Sequence, residues 1–196
     1  GGNSAGAVLY MHIGYITDSS EYPSYVAPAI DSNGGFEGNS GNAGYSIKHK
    51  AVINLAGALN SASFINAGDI PSVNFQGDND VVVPYNCDYP LGGSCKVKLC
   101  GLGALEPAYV ANSINHMSKV FPGDGHVPWS SDAAKFNTVD SMTKVFLFAL
   151  VCPGVNSVSS AGLNPGVELF PNPANGVVSI TAPVPVTEAI IYDETG

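Results

Sequence analysis

Three glycine-rich stretches carry side chains whose types suit nucleophilic chemistry. Gly2-Asn3-Ser4-Ala5-Gly6 sets a serine between glycines two residues away on either side, Gly77-Asp78-Asn79-Asp80 offers two carboxylates, and Gly123-Asp124-Gly125-His126 offers an imidazole. A serine hydroxyl is essentially undissociated at neutral pH and needs a base within hydrogen-bond reach. An imidazole, titrating ordinarily near ~6.5, can take and return that proton. A carboxylate behind it holds the tautomer and stabilises the imidazolium. Ser4 is thus the candidate nucleophile, His126 the candidate base, and Asp78 or Asp80 the candidate acid. The N–H of Ala5, directly after the serine, is the natural donor to a tetrahedral oxyanion, with a second donor expected from an upstream loop.

Such a serine must sit on a sharp strand-to-helix turn at a strained backbone angle. That is the reason for Gly2 and Gly6, since side chains there would crowd the turn. Behind the turn, Ala5 to Ile16 is apolar nearly all round and predicts a buried helix with His12 in the core. Residues 51–57 and 70–77 read as buried strands, and His116 to Phe121 alternates like a third. A helix is predicted from Gly103 to about Ser113, and another from Ser130 to Val151, capped by Ser130 or Ser131. Strands alternating with helices imply an α/β fold with a doubly covered parallel sheet, in which working residues gather at the carboxyl ends of the strands. The serine, the carboxylates and the histidine all fall there. His49, between Lys48 and Lys50, reads as an exposed face; His116 opens a strand with no glycine loop to present it; Asp124 reads as turn-shaping.

Residues 17–46 break this pattern with a long stretch rich in Gly, Asn, Ser and Pro. It predicts either a wall over the active site, with Tyr22, Tyr25 and Phe36 lining a substrate pocket, or an ordinary surface excursion. Tyr85 and Trp129 flank the other loops and would border the pocket or pack beneath it. The chain opens directly on the elbow and stops in an apolar run at Gly196, which reads as an internal piece of a longer protein.

The composition narrows the partners. The net charge is −9, charged residues make up 12%, and the seven basic residues are all Lys. Phosphate tracking calls for a basic stripe and favours guanidinium groups, so nucleic acid is not an expected partner. No apolar stretch approaches the roughly 18 residues of a membrane span. Cys87, Cys95, Cys100 and Cys152 suit disulfides in an oxidising compartment, with the pairing left open; no Cys-x-x-Cys pair or nearby His suggests a metal. The chemistry needs no metal and no organic cofactor.

From residue 1 to about Cys152 the sequence resembles the C-terminal part of an α/β-hydrolase of the carboxylesterase kind. Gly77-x-x-Asp80-x-x-Val83-Pro84 is similar to that family's acid loop, and Gly123-x-Gly125-His126 to its histidine loop. The order Ser, Asp, His is the family's own. The resemblance implies Asp80 as the acid and an ester substrate cleaved through an acyl-enzyme. It leaves open a peptidase of the same fold, or a binding or adhesion module that kept the fold without the activity. Gln76 departs from the pattern, because many relatives carry His before the glycine.

After Cys152 the composition turns to linker chemistry over residues 153–166. Short β-rich pieces follow at 167–170, 176–181 and 187–192, predicting a small, partial β-sandwich module over 167–196. Within it, Pro171-Asn172-Pro173-Ala174-Asn175-Gly176 resembles the start of the C-terminal sorting domain read by the type IX secretion machinery of Bacteroidota. That resemblance implies a secreted or surface-attached protein.

Overall fold

The computed structural model of the chain describes residues 1–17, 19–35, 38–39, 48–152, 168–170, 179–182 and 185. The chain divides into two units, Gly1–Leu150 and Val151–Gly196. The first is a mixed α/β unit built on a parallel sheet of β1 (Gly2–Asn3), β2 (Val52–Leu55), β3 (Ser72–Gly77) and β6 (His116–Phe121), in that order. Helices α1 (Ala5–Tyr15), α3 (Leu102–Ala111) and α4 (Ala133–Val151) follow β1, the ribbon of β4 (Cys87–Asp88) and β5 (Leu99–Cys100), and β6 respectively. A short helix not foreseen in the sequence, α2 (Ala27–Ser32), lies within the long excursion.

The sheet separates two apolar clusters. Met11 and Tyr15 of α1, Val52, and Leu102, Leu105 and Tyr109 of α3 form one. Val73 and Phe75 of β3, Phe121, Trp129, and Val139 and Phe146 of α4 form the other. Burial on both faces explains why every residue of β3 is buried although the strand reads Ser-Val-Asn-Phe-Gln-Gly. The polar set Ser72, Asn74 and Gln76 therefore faces inward beside the apolar set. Its hydrogen bonds are internal: Asn54 Nδ2 donates to Asn74 Oδ1 at 3.1 Å, the Tyr109 hydroxyl donates to the same oxygen at 3.2 Å, and Asn74 Nδ2 donates to Ser72 Oγ at 2.9 Å.

Two expectations about helices are corrected. Helix α1 is not buried all round: Ala7, Met11, Gly14 and Tyr15 face the sheet, while Leu9, Tyr10 and Ile13 are exposed. A helix laid on one face of a sheet can bury only the stripe that touches it. The cap of α4 is Asp132, not Ser130 or Ser131, because its Oδ1 accepts from the N–H groups of Ala134 at 2.9 Å and Lys135 at 3.1 Å.

The cysteines are also resolved differently from an all-disulfide reading. Strands β4 (Cys87–Asp88) and β5 (Leu99–Cys100) are antiparallel, and their register sets Cys87 opposite Cys100, which are disulfide-bonded. Cys95, in the loop between these strands, and Cys152 are free thiols. The ribbon pairing takes both cysteines at its base and leaves Cys95 outside the register.

In the second unit, β7 (Glu168–Phe170) and β8 (Ser179–Thr181) pair antiparallel, with Leu169 opposite Ile180. The linker 153–166, the Pro-Asn-Pro turn and the strand expected at 187–192 lie outside the described residues. No described helix is long and apolar enough to cross a membrane.

Candidate active site

The backbone of Ser4 is fixed at the β1–α1 junction from both sides. Its N–H donates to Leu55 O at 2.8 Å, continuing the parallel pairing of β1 with β2, and its carbonyl accepts the first helical bond, from Val8 N, at 2.9 Å. Between these two constraints the residue takes φ 54°, ψ −122°, a sparsely populated conformation for a non-glycine residue. Gly2 is needed there, since a Cβ on it would lie 2.4 Å from the Gly6 carbonyl carbon. Gly6 differs from the symmetrical expectation: a Cβ on Gly6 would meet open space. The tight contact is thus between Gly2 and the Gly6 backbone.

At the ends of β3 and β6 the chain delivers the other two side chains. Asp80 Oδ1 accepts from the N–H groups of Val82 and Val83, each at 2.9 Å, which turns the loop around the carboxylate. Its Oδ2 lies 2.7 Å from His126 Nδ1, and His126 Nε2 lies 2.7 Å from Ser4 Oγ. A carboxylate can only accept, so Nδ1 carries the proton and Nε2 is left to accept from the serine hydroxyl. Asp80 is buried, its side chain fully so, whereas the His126 side chain keeps 18% exposure. Proton transfer from Oγ to Nε2 is geometrically available. Ala5, opening α1, has its N–H in the first helical turn, where no intrahelical carbonyl can pair with it.

The choice between the two carboxylates is made by the loops. Asp78 Oδ1 accepts from Gly123 N at 2.6 Å and so ties the acid loop to the histidine loop, leaving His126 to Asp80. Asn79 N adds a bond to Asp124 O at 3.0 Å. Asp124 in turn pairs with Lys135 Nζ at 2.6 Å, so α4 anchors the histidine loop from outside. That hydrogen bond to Asp124, more than the surrounding charge, raises the Lys135 ammonium above the usual lysine range. Val127, next to His126, sits in the left-handed region at φ 47°, an outlier for a β-branched residue.

Among the described residues, those expected to line a substrate pocket do not share one place. Tyr22 and Tyr25 border a cleft of about 1280 Å³ shared with Leu9, His12, Ile13 and Asp69; Ser4, Asp80 and His126 are not among its lining residues. The segment 19–35 stays at the C-terminal end of α1, where the Glu21 carboxylate accepts from Asn66 Nδ2 at 2.8 Å, rather than returning over the serine. Phe36 lies outside the described residues. Trp129 is core, edge-on to Phe75 and tilted against Phe121. Tyr85 packs at the start of α3, beside Gly103, and burial, followed by the charges of Asp78 and Glu106, raises its hydroxyl above the usual value.

The remaining histidines are remote from the triad. His12 is half-buried rather than core, with Nδ1 on Val8 O and Nε2 on Asn60 Oδ1. His116 stacks on Tyr109 and meets Glu106, and His49 is exposed. No cluster of three or more metal-ligating side chains occurs among the described residues.

What the motif reading missed is the buried polar face of β3. Polar residues at every second position of a strand expected to be covered on both sides were its only sequence signal. Asn54 serves the elbow's neighbour: its Oδ1 accepts from Gly57 N at 2.8 Å, fixing the turn after β2 just beyond the carbonyl that holds Ser4.

No protein family matches the chain, and no curated protein is significantly similar to it in sequence. The class that the structure defines is a mixed α/β unit with a four-stranded parallel sheet and a Ser–His–Asp hydrogen-bonded series at the strand ends.

Proposed function

We propose that this chain is the catalytic part of a secreted serine hydrolase of the α/β-hydrolase, carboxylesterase-like kind, acting on carboxylic esters. The observation that carries the reading is the unbroken series Ser4 Oγ, His126 Nε2, His126 Nδ1, Asp80 Oδ2, with both contacts at 2.7 Å. In the proposed reaction Ser4 Oγ attacks the ester carbonyl carbon while its proton passes to His126 Nε2. The oxyanion forms against the Ala5 N–H. The bond from carbon to the alcohol oxygen then breaks, and His126 returns the proton to the departing alkoxide. Water attacks the acyl-serine by the same route, its proton going to His126; the acid leaves and Ser4 Oγ is reprotonated. Asp80 stays ionised and stabilises the imidazolium in both steps. The Pro-Asn-Pro-Ala-x-Gly run at 171–176 supports export through a type IX machinery.

The test is hydrolysis of a short-chain aryl ester by the full-length protein, with the matched amide alongside to separate esterase from peptidase. Ser4→Ala should abolish turnover with an unchanged circular dichroism spectrum; retained hydrolysis in that variant sinks the proposal.

A further inference from the structure

Gln76 is 1% exposed, and its side-chain amide is engaged at both ends. Its Oε1 accepts from the N–H of Leu102, the first residue of α3, at 2.8 Å; its Nε2 donates to the carbonyl of Val83, also at 2.8 Å. A backbone donor on one side and a backbone acceptor on the other leave the amide a single orientation. Val83 is the residue whose own N–H, with that of Val82, holds Asp80 Oδ1. An uninterrupted path therefore runs from α3 through Gln76 to the acid turn, and from there through Asp80 Oδ2 to His126.

The packing around this amide is close. A Cβ on Gly101 would fall 2.1 Å from Pro84 O and 2.7 Å from Gln76 Oε1, so the chain can pass there only as glycine. A carboxamide does not titrate, so both of its bonds persist through the pH range in which a neighbouring imidazole changes charge. A histidine at this place would not have that property.

We propose that Gln76 is a positioning residue that aims the Asp80 carboxylate at His126 by pinning the Val83 carbonyl to the start of α3. It acts on the rate of the chemical step rather than on substrate binding. The kinetic part of this inference rests on the ester-hydrolase reading; the geometric part does not.

Gln76→Met in the full-length protein tests it, because the change fills similar volume and removes both the donor and the acceptor. The Leu102 N–H and the Val83 carbonyl then both lose their partner. The first readout is the low-field proton resonance of the His126 Nδ1–H held by Asp80, assigned by its loss in His126→Ala. It should move upfield and exchange faster with solvent. The second is kinetics: kcat should fall about 10- to 100-fold, as for a catalytic group displaced by a fraction of an ångström to an ångström, with KM within about threefold. The acid limb of the pH–rate profile should move to lower pH, because a misaimed carboxylate supports the imidazolium less. Gln76→Leu, which also lacks a donor and an acceptor, should give the same directions and replaces Gln76→Met should that variant fail to fold.

An unchanged resonance in a folded variant overturns the proposal, as does a fall in kcat with the acid limb unmoved. If the wild-type protein hydrolyses no ester yet the resonance responds, the functional reading fails and the role of Gln76 stands. If Ser4-dependent hydrolysis is present and neither resonance nor kcat responds, the reverse holds.

Discussion

The two faces of β3 are built on opposite principles. Toward α4 the strand presents Val73 and Phe75 to Phe121, Trp129 and Phe146, a surface that needs only volume and shape. Toward α1 and α3 it presents Ser72, Asn74 and Gln76, each bonded to a named partner. The apolar face contributes stability through non-directional burial. The polar face contributes direction: Asn54 fixes the turn beyond β2 and Gln76 the turn beyond β3, and these are the turns flanking Ser4 and Asp80. Placing loops to within a fraction of an ångström is a task for hydrogen bonds, which lose strength steeply with angle, rather than for packing alone.

The largest effect should come from the apolar face. Phe75→Ala should cost about 3–5 kcal/mol of stability, read by urea denaturation. In the variant that remains folded, the pH–rate profile should keep its shape; a displaced acid limb would erase the distinction between the faces. On the polar face, Asn74→Leu removes the acceptor of both the Asn54 amide and the Tyr109 hydroxyl. It should cost about 1–3 kcal/mol, the two donors losing one shared acceptor. Adding Tyr109→Phe should then cost little or recover stability, because one orphan is gone. Additive losses in that double-mutant cycle would show that the bonds are incidental.

The smallest effect is alkaline. Burial pushes the Tyr15 hydroxyl up to about 12 and that of Tyr109 well above its usual value, and both belong to the α1/α3 face. In the unfolded chain each would ionise near ~10. With the folded value the higher one, the folded state binds more protons at high pH, so this stability is complete below about pH 10 and is lost as pH rises toward 12. The denaturation midpoint should be flat from about pH 7 to 9 and fall above 10, with a shallower fall in Tyr15→Phe. An identical slope in that variant would remove Tyr15 as the cause.

Much of the fold is legible in the residue pattern. The strand at 116–121 coincides with β6, and those expected at 51–57 and 70–77 are trimmed to Val52–Leu55 and Ser72–Gly77. The trimming reflects Pro71 and the turn at Ala56, whose φ is 54°. Less legible was the strand before the serine: Gly2 and Asn3 carry no β signature, yet pair with Asn54 and Leu55 because a parallel neighbour supplies the register. The long excursion left two readings open for a related reason. Which end of α1 Tyr22 and Tyr25 occupy depends on contacts such as Glu21 with Asn66. Those residues are 45 positions apart, and no local pattern reports on such a pair.

By itself the sequence determined the chemistry on offer. Glycine spacing around Ser4, Asp80 and His126 is local, and local backbone demands are written in residue types. It also determined the alternation of strands and helices, since burial periodicity is a property of consecutive residues. The tertiary structure alone decided which cysteines pair and that Trp129 is core. It also decided that the polar residues of β3 serve one another and the loops. Each of those outcomes depends on distances between residues far apart in the chain, set only when the sheet register and the helices packed on it bring them together.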